Sequence, residues 1–299
     1  MKKVLNLLLV LFVCLSLTAC GSGDPTNDKV PTGAENNDTS KNEEVKEEVK
    51  AEISVEEKVL FETSDIKVTL KGIDTDGWMG PEIKFLVENN GSKTIDINNE
   101  YTVVNGYTLD GWFSCEVAAG KKSNESLTLM SSDLKNCGID VIKDVTLSFY
   151  TVDPETYDRI DEDIVASFTT LGSENYTQKY DDSGFELFNQ NGIKAVIKKM
   201  NSSDSFWGAD LYIYVENNSG KHVTVSSEET SVNGFMIDGW YSCEVLDGTR
   251  RISTMTFMES DLEENGITDI TDFESKFYAY DYDGWDRLFT TDAIAVSFN

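Results

Sequence analysis

Hydrophobic and polar residues alternate with a period of two along most of the chain beyond residue 60. The alternating apolar positions are Ile66, Val68 and Leu70; Ile83, Phe85 and Val87; Val145, Leu147 and Phe149; Leu211, Ile213 and Val215; and Val223 and Val225. A period of two predicts strands with one buried face, and turn residues separate these segments at short intervals. The chain is therefore predicted to be all-β and built as antiparallel sandwiches of about seven or eight short strands each.

This pattern occurs twice, because the second half of the chain repeats the first at a constant offset of 128 residues. Between 83–160 and 211–288, 32 of 78 aligned positions are identical without a gap. The repeated motifs include Val87-Glu88-Asn89-Asn90 with Val215-Glu216-Asn217-Asn218, Val104-Asn105-Gly106 with Val232-Asn233-Gly234, and Asp110-Gly111-Trp112 with Asp238-Gly239-Trp240. This degree of identity indicates tandem copies of one domain. We place the first copy at 59–171, a polar linker at 172–186 and the second copy at 187–299.

Each copy is expected to contain one short helix. Ser132 and Ser260 each precede an Asp-Leu pair and are candidate N-cap residues, because a serine hydroxyl can accept a hydrogen bond from a free N–H of the first turn. Gly138 and Gly266 follow a few residues later, and glycine suits the left-handed conformation in which many helices end.

The Val-Glu-Asn-Asn strand end, the Ser-Asp-Leu…Gly-Ile turn and the Phe-Tyr strand resemble the immunoglobulin-like repeat domains of unknown function found in surface lipoproteins of Gram-positive bacteria. The resemblance covers both copies, which make up about three quarters of the chain. It implies two tandem immunoglobulin-like β-sandwiches outside the cell. It supplies no catalytic residues, because the shared motifs consist of turn and core residues.

The first twenty residues have the features of an export signal. Two lysines precede an apolar stretch from Leu5 to Leu17, which is too short to span a bilayer. Leu17-Thr18-Ala19-Cys20 resembles the lipobox of bacterial lipoproteins, and the alternative is an ordinary cleaved signal with a chance cysteine. We expect a signal peptide over 1–19 and a lipid anchor on Cys20. An acidic, flexible tether is expected over 20–58, since this stretch is polar and low in aromatic residues.

The charge of the chain narrows the classes of partner. Lys and Arg total 25 against 54 Asp and Glu, for a net charge of −29. A nucleic-acid partner needs a basic face, so nucleic acid is excluded. The single histidine, His222, excludes a two-histidine metal site and is predicted to lie in an exposed hairpin turn. No P-loop, dinucleotide-binding or nucleophile-elbow motif occurs, so we expect no enzyme activity.

Tryptophan is the candidate binding residue type. Four of the five tryptophans follow Asp-Gly, a turn dipeptide. An exposed ring beside a carboxylate suits a sugar, because the ring stacks on the apolar sugar face and the aspartate accepts hydroxyl hydrogen bonds. Alternatively the rings fold over the ends of the sandwiches and seal the core, which the high average burial of tryptophan favours. The candidate ligand-binding residues are Asp110 and Trp112, Asp238 and Trp240, and Trp78, Trp207 and Trp285.

One acidic loop has the alternating carboxylates of a calcium site. Asp281, Asp283 and Asp286 provide them, but the EF-hand register fails because position one would be Ala279 and position twelve Thr290. The sequence favours a solvated turn there, and we expect no metal and no cofactor.

Three cysteines follow Cys20. Cys115 and Cys243 occupy equivalent places in phase with apolar residues, so they are expected to be buried as small hydrophobic side chains. A disulfide between Cys115 and Cys137 is an open alternative in the first copy. The second copy cannot mirror it, because Asn265 stands where the first copy has Cys137.

Together these features predict a binding or adhesion module without catalytic activity, anchored by lipid to the extracellular face of the cell membrane. Its ligand would be a glycan, a cell-wall polymer or another surface protein. The alternative is a structural or accessory lipoprotein that acts through protein–protein contacts and has no small ligand. Rings at Trp112 and Trp240 that are exposed and coplanar would favour a glycan, and buried rings would favour a structural role. A broad apolar patch shared by both copies would favour a protein partner.

Overall fold

The computed structural model of the protein describes residues 28–33, 53–201 and 207–298. The described residues are mostly β-strand, with two short helices, so the predicted all-β fold of antiparallel sandwiches is confirmed. Within these ranges no helix is both long and apolar enough to cross a membrane. The predicted signal peptide and Cys20 lie outside the described residues.

One short strand, β1 (Asp28–Lys29), precedes the first repeat, whose elements alternate between two layers. They are β2 (Lys58–Glu62), β3 (Ile66–Asp74), β4 (Glu82–Asn89), β5 (Ile95–Val104), β6 (Tyr107–Leu109), β7 (Gly111–Trp112), β8 (Ser114–Val117), β9 (Lys122–Leu129), α1 (Ser131–Asn136), β10 (Asp144–Val152) and β11 (Arg159–Thr169). One layer is the sheet β2-β3-β4-β9-β7, and β8, β6, β5, β10 and β11 form the facing layer.

The second repeat follows the same order. Its elements are β12 (Phe185–Gln190), β13 (Ile193–Asn201), β14 (Gly208–Asn217), β15 (Val223–Val232), β16 (Phe235–Met236), β17 (Ser242–Val245), β18 (Arg250–Met258), α2 (Glu259–Glu264), β19 (Asp272–Asp281), β20 (Arg287–Thr290) and β21 (Ile294–Ser297). One layer contains β12, β13, β14 and β18, and the other contains β15, β16, β17, β19, β20 and β21.

The alternating apolar positions form the core of each sandwich, as the period of two predicts. In the first repeat, Phe113 packs edge-to-face against Phe85 and Phe149, with ring centroids 5.5 and 5.8 Å apart. In the second repeat, Phe257 packs against Phe273 at 6.0 Å. These rings pack between the two layers of each sandwich. Their edge-to-face contacts stabilise the core in addition to the burial of apolar surface.

The repeated asparagine motifs hold the turns of both sandwiches. Asn89 and Asn217 are buried, and each side-chain amide donates hydrogen bonds to two backbone carbonyls at 2.8–2.9 Å. Asn105 and Asn233 both adopt φ 49° and make equivalent bonds to the chain before β10 and β19. These motifs are therefore structural, because they satisfy buried backbone groups where strands end.

The short helices form where the sequence predicts them, but the predicted N-caps are wrong. α1 and α2 begin two residues earlier than a serine cap requires, and the capping positions are Met130 and Met258 without a side-chain cap. Ser132 instead hydrogen-bonds to the adjacent Asp133 at 3.2 Å. Gly138 (φ 60°) and Gly266 (φ 67°) adopt the predicted left-handed conformation.

The two repeats share one sheet. β6 of the first repeat pairs in parallel with β18 of the second at Tyr107 and Arg250, which creates a 10-stranded sheet through both sandwiches. The Arg250 N–H donates to the Gly106 carbonyl at 3.0 Å. Val196 and Tyr214 of the second repeat are buried in the core cluster of the first. The shared sheet joins non-equivalent layers, so the junction lacks the symmetry of the sequence repeat.

The predicted linker at 172–186 is packed against the junction. The Gln178 side chain donates to the Gly138 carbonyl at 3.0 Å, and the Tyr180 hydroxyl donates to the Asn105 carbonyl at 3.0 Å. The guanidinium of Arg250 lies 3.9 Å from the centre of the Tyr180 ring. These contacts fix the connection between the repeats, and β12 begins within the predicted linker at Phe185.

Two parts of the predicted tether at 20–58 are docked, so a continuous solvated tether is wrong there. β1 pairs antiparallel with β13, and Asp28 forms an ion pair with Lys199 at 2.7 Å. Ile53 and Val55 pack on the core of the first repeat. A few charged and apolar residues of this polar stretch contact the folded repeats, and composition alone does not predict these contacts. Residues 20–27 and 34–52 lie outside the described residues.

Candidate ligand-binding surface at the repeat junction

Every tryptophan is exposed, so the favoured expectation that the rings seal the sandwich ends is wrong. The exposed fractions are 95% for Trp78, 85% for Trp112, 60% for Trp207, 89% for Trp240 and 73% for Trp285. The neighbouring Phe113 and Tyr241 are buried and fill the core instead. Because successive strand residues face opposite sides, burying these neighbours directs Trp112 and Trp240 outward.

The glycine before each of these two rings lies against the protein interior. A Cβ added at Gly111 would be 2.2 Å from Oγ1 of Thr102, and one added at Gly239 would be 2.7 Å from Sδ of Met255. A side chain at either position would displace the strand that carries the ring. In the Asp-Gly-Trp motif, the glycine therefore allows the backbone to pack closely against neighbouring side chains, and the tryptophan ring points outward.

Trp112 and Trp240 both lie at the repeat junction. Trp112 lines a groove of about 550 Å³ together with Asp110 and, from the second repeat, Glu244 and Arg251. Trp240 lines an adjoining groove of about 440 Å³ with Asp110, Arg251 and Asp133. Asp110 and Arg251 border both grooves, so the two rings flank a single ion pair contributed by both repeats.

This ion pair provides the polar part of the site. Nη2 of Arg251 lies 2.6 Å from Oδ1 of Asp110, and the arginine side chain is 16% exposed whereas the aspartate is 76% exposed. Burial alone would lower the pKa of Arg251, but Cys243 and Asp110 nearby raise it overall. Burial, with repulsion from Asp110, raises the pKa of Asp133 in the same area. The grooves thus offer one fixed cation and several carboxylate acceptors.

An exposed apolar trio accompanies the tryptophan in each repeat. The first trio is Met79, Trp112 and Met130, and the second, at the equivalent positions, is Trp207, Trp240 and Met258. The backbone connects two members of each trio. Ser131, next to Met130, donates its N–H to the Met79 carbonyl at 2.9 Å, and Glu259, next to Met258, donates its N–H to the Trp207 carbonyl at 2.7 Å. Each repeat therefore presents the same small apolar patch beside its helix.

The other candidate residues lie outside the two junction grooves. Asp238 is exposed, and neither it nor Trp78, Trp207 or Trp285 lines the two junction grooves. The two Asp-Gly-Trp motifs thus differ in role despite their identity. Asp110 is paired across the junction, and its copy Asp238 faces solvent.

The acidic loop candidate for calcium is a turn held by an ion pair. Oδ1 of Asp281 accepts the Asp283 N–H at 3.2 Å, and its carboxylate pairs with Lys221. The hydrogen bond from Lys221 lowers the pKa of Asp281. The first repeat has the same arrangement in Asp153 and Lys93, 3.1 Å apart. Across 28–33, 53–201 and 207–298, no group of three or more His, Cys, Asp or Glu is placed to hold a metal ion.

His222 does not occupy an exposed hairpin turn. The chain crosses there from β14 to β15 in the other layer, and the side chain is 18% exposed. The ring stacks on Tyr282 with centroids 4.2 Å apart, and Nε2 lies 2.9 Å from Oε1 of Glu244 without hydrogen-bond geometry. The prediction failed because a polar turn sequence does not distinguish a hairpin from a crossover.

Cys115, Cys137 and Cys243 are buried free thiols, so the open disulfide between Cys115 and Cys137 is not formed. Burial raises the pKa of both Cys115 and Cys137 to about 12. Cys115 and Cys243 behave as the small hydrophobic side chains that their strand phase predicts.

Sequence reasoning missed Arg251, Glu244 and Asp133 as parts of the site. Arg251 replaces Ser123 of the first repeat, so it departs from the repeat instead of belonging to a repeated motif. The available signal was a charged residue at a position where the other repeat has an uncharged one. Such a difference is expected at a junction between non-equivalent layers, because the two surfaces that meet there are not copies of each other.

No family model and no curated protein matches the chain. Among solved structures, a YadV chaperone is similar at 14% identity and a TM-score of 0.25, over 77% of this chain and 98% of that chain. A red sea bream transglutaminase is similar at 11% identity and a TM-score of 0.21, over 74% of this chain and 30% of that chain. These similarities are too low to carry an argument about this protein.

Proposed function

We propose that the protein is a non-enzymatic binding module, held by lipid on Cys20 at the extracellular face of the membrane, whose ligand is a glycan or cell-wall polymer. The observation that supports this best is the exposure of Trp112 and Trp240 on either side of the Asp110–Arg251 pair. Flat exposed rings beside fixed polar groups suit sugar recognition, since the rings cover apolar faces and the polar groups bind hydroxyls. The resemblance to immunoglobulin-like repeats of Gram-positive surface lipoproteins remains a prediction.

The lipid anchor and the acidic body act in opposite directions near a membrane. Acyl chains hold the N-terminus through their buried methylene groups. The net charge of −29 is repelled by anionic headgroups, so the sandwiches would stand away from the bilayer and toward the wall. Mass spectrometry of the membrane fraction tests this part of the proposal. An unmodified Cys20 would refute it.

Retention on purified cell walls tests the junction site. We expect the double variant Trp112→Ala with Trp240→Ala to lose about tenfold or more in affinity, since each ring contributes stacking and burial. Trp78→Ala is the matched control, because Trp78 follows Asp-Gly and is more exposed but lies outside both grooves. Equal retention of the double variant and the control, with an unchanged thermal midpoint, would remove the junction as the site.

An accessory lipoprotein that binds another protein is the second candidate. The apolar trio present in each repeat supports it, because exposed apolar groups that recur in both repeats suit a protein contact. Met130→Glu combined with Met258→Glu places charge in both trios and leaves the tryptophans in place. Loss of a cross-linked protein complex in this variant, with wall retention unchanged, would favour the accessory role over glycan binding.

A further inference from the structure

A second aromatic surface lies on the outer face of the second repeat. We call it the aromatic strip, and it consists of Tyr278, Tyr280, Trp285, Tyr282 and His222. Neighbouring ring centroids are 6.3 Å apart for Tyr278 and Tyr280, 5.4 Å for Tyr280 and Trp285, 6.4 Å for Trp285 and Tyr282, and 4.2 Å for Tyr282 and His222. The corresponding interplanar angles are 29°, 12°, 24° and 22°. Each ring is therefore nearly parallel to the next.

The backbone builds this strip from one strand and the turn after it. Tyr278 and Tyr280 occupy outward positions of β19, while Phe277 and Ala279 face the core. Trp285 adopts φ 58°, and its N–H donates to the Asp281 carbonyl at 2.8 Å. This left-handed turn lays the indole over Tyr280 and leaves it 73% exposed.

Charged pairs border the strip on its long sides. The guanidinium of Arg287 lies 3.9 Å from the centre of the Tyr278 ring and forms an ion pair with Glu228 at 3.1 Å. Lys221 pairs with Asp281 near the other end. These pairs place fixed hydrogen-bond donors and acceptors beside the rings, and the exposed carboxylates of Asp283 and Asp286 flank Trp285 as further acceptors for hydroxyl groups.

The first repeat provides an internal comparison. It keeps Tyr150 with Arg159 at 4.2 Å, at the positions of Tyr278 and Arg287. The remaining strip positions are occupied by Val152, Pro154, Tyr157 and Thr94. A sandwich of this type therefore forms without the strip, so folding does not require the stacked rings.

The far end of the strip reaches the repeat junction. Glu244 lies beside His222 at that end of the strip, and it also lines the groove that contains Trp112. A ligand extended along β19 would thus continue into the junction grooves. This continuity distinguishes the strip from an isolated aromatic cluster.

We propose that the aromatic strip is a binding site for an extended, uncharged polysaccharide that continues toward the Trp112 groove. Stacking covers part of the ring surface in the strip, but Trp285 is 73% exposed, so its indole still offers surface on which the flat apolar face of a sugar can stack. A cage for a cationic group needs rings that converge on it. The net charge of −29 disfavours polyanions. The proposal rests on the proposed function for its ligand class, but it names a different site.

The test compares retention of the chain from residue 21 onward on three supports: an insoluble uncharged β-glucan, immobilised polylysine and purified cell walls. Tyr280→Ala combined with Trp285→Ala should lower affinity for the glucan about tenfold, given the energy of two aromatic contacts. Tyr157→Ala is the matched control, since Tyr157 is the copy of Trp285, is 82% exposed and shares its positive φ of 62°. This control should bind as well as the parent chain.

The outcomes separate this proposal from the proposed function. Equal glucan binding by the strip variant and the parent, or no glucan binding by the parent, overturns the strip as a polysaccharide site. If walls still retain the parent through Trp112 and Trp240, the proposed function stands without it. If the strip variant loses binding to polylysine but not to the glucan, the ligand of the strip is a cationic partner and not an uncharged polysaccharide. Loss of glucan binding in the strip variant, with unchanged binding by the Tyr157→Ala control, would support the strip as the polysaccharide site.

Discussion

Replacing Asn217 by alanine should unfold the protein at a markedly lower temperature. Its amide donates to the Lys221 carbonyl at 2.8 Å and to the Val245 carbonyl at 2.9 Å. Its Oδ1 accepts the Ser219 N–H at 3.0 Å and the Ser219 hydroxyl at 2.7 Å. The side chain is fully buried, so it joins the end of β14, the crossover to β15 and the end of β17 inside the sandwich.

The magnitude follows from the groups that lose their partner. Leaving a buried hydrogen-bond acceptor unsatisfied costs about 1–3 kcal/mol, and the Val245 carbonyl becomes such an acceptor when the Asn217 amide is removed. The partners at Lys221 and Ser219 are nearer to solvent, and each lost bond there costs roughly 0.5–1.5 kcal/mol. The expected loss in the free energy of unfolding is therefore about 2.5–7.5 kcal/mol for the four bonds, or roughly 5–30 °C in thermal midpoint for a body of this size.

Calorimetry and far-ultraviolet circular dichroism are the suitable assays. Tryptophan fluorescence would respond weakly, because all five rings are already exposed in the folded state. Asn218→Ala is the matched control, since this neighbour is exposed and its side chain hydrogen-bonds to the adjacent strand residue Glu216 at 3.2 Å. Asn89→Ala should behave like Asn217→Ala, because it makes the equivalent bonds in the first repeat. A loss below about 1 kcal/mol for Asn217→Ala would refute the role of the repeated asparagine.

Three further predictions concern the glycine, carboxylate and thiol environments. Gly208→Ala should cost more than about 2 kcal/mol by calorimetry, because its φ is 145° and the added Cβ would lie 2.1 Å from the Phe257 carbonyl oxygen. Burial, followed by repulsion from Asp110, raises the pKa of Asp133, so the folded state disfavours the ionised carboxylate. The folded state therefore loses stability as the pH rises from the ordinary carboxyl pKa through the raised pKa of Asp133. Asp133→Asn should therefore raise the thermal midpoint at pH 7 relative to the parent and flatten its dependence between about pH 3 and 7; a lower midpoint at pH 7 would contradict this. Cys137, with a pKa raised to about 12, should react with a thiol reagent at pH 8 far more slowly in the folded than in the unfolded protein, and equal rates would show that it is accessible.

The strand pattern and the duplication were predictable because they depend on local periodicity. Ile66, Val68 and Leu70 alternate with polar residues, and all three are fully buried in β3. The left-handed stops at Gly138 and Gly266 were predictable for the same reason, since glycine adopts positive φ without strain. The serine caps were wrong because both helices begin directly after the preceding strand, where the extended backbone of Met130 and Met258 occupies the cap position.

Strand periodicity and internal identity were enough to predict an all-β chain with two copies of one sandwich, because neither depends on distant contacts. Tertiary structure decided which ring of each Gly-Trp-Phe or Gly-Trp-Tyr segment is buried, since that depends on the face each strand presents to its partner layer. It also decided that non-equivalent layers join at the junction, which pairs Asp110 with Arg251 and leaves Asp238 in solvent. The repeated motifs carry the same local information in both copies. The relative placement of the copies therefore follows from positions at which they differ, such as Arg251 against Ser123, and from the shape of the surfaces that meet.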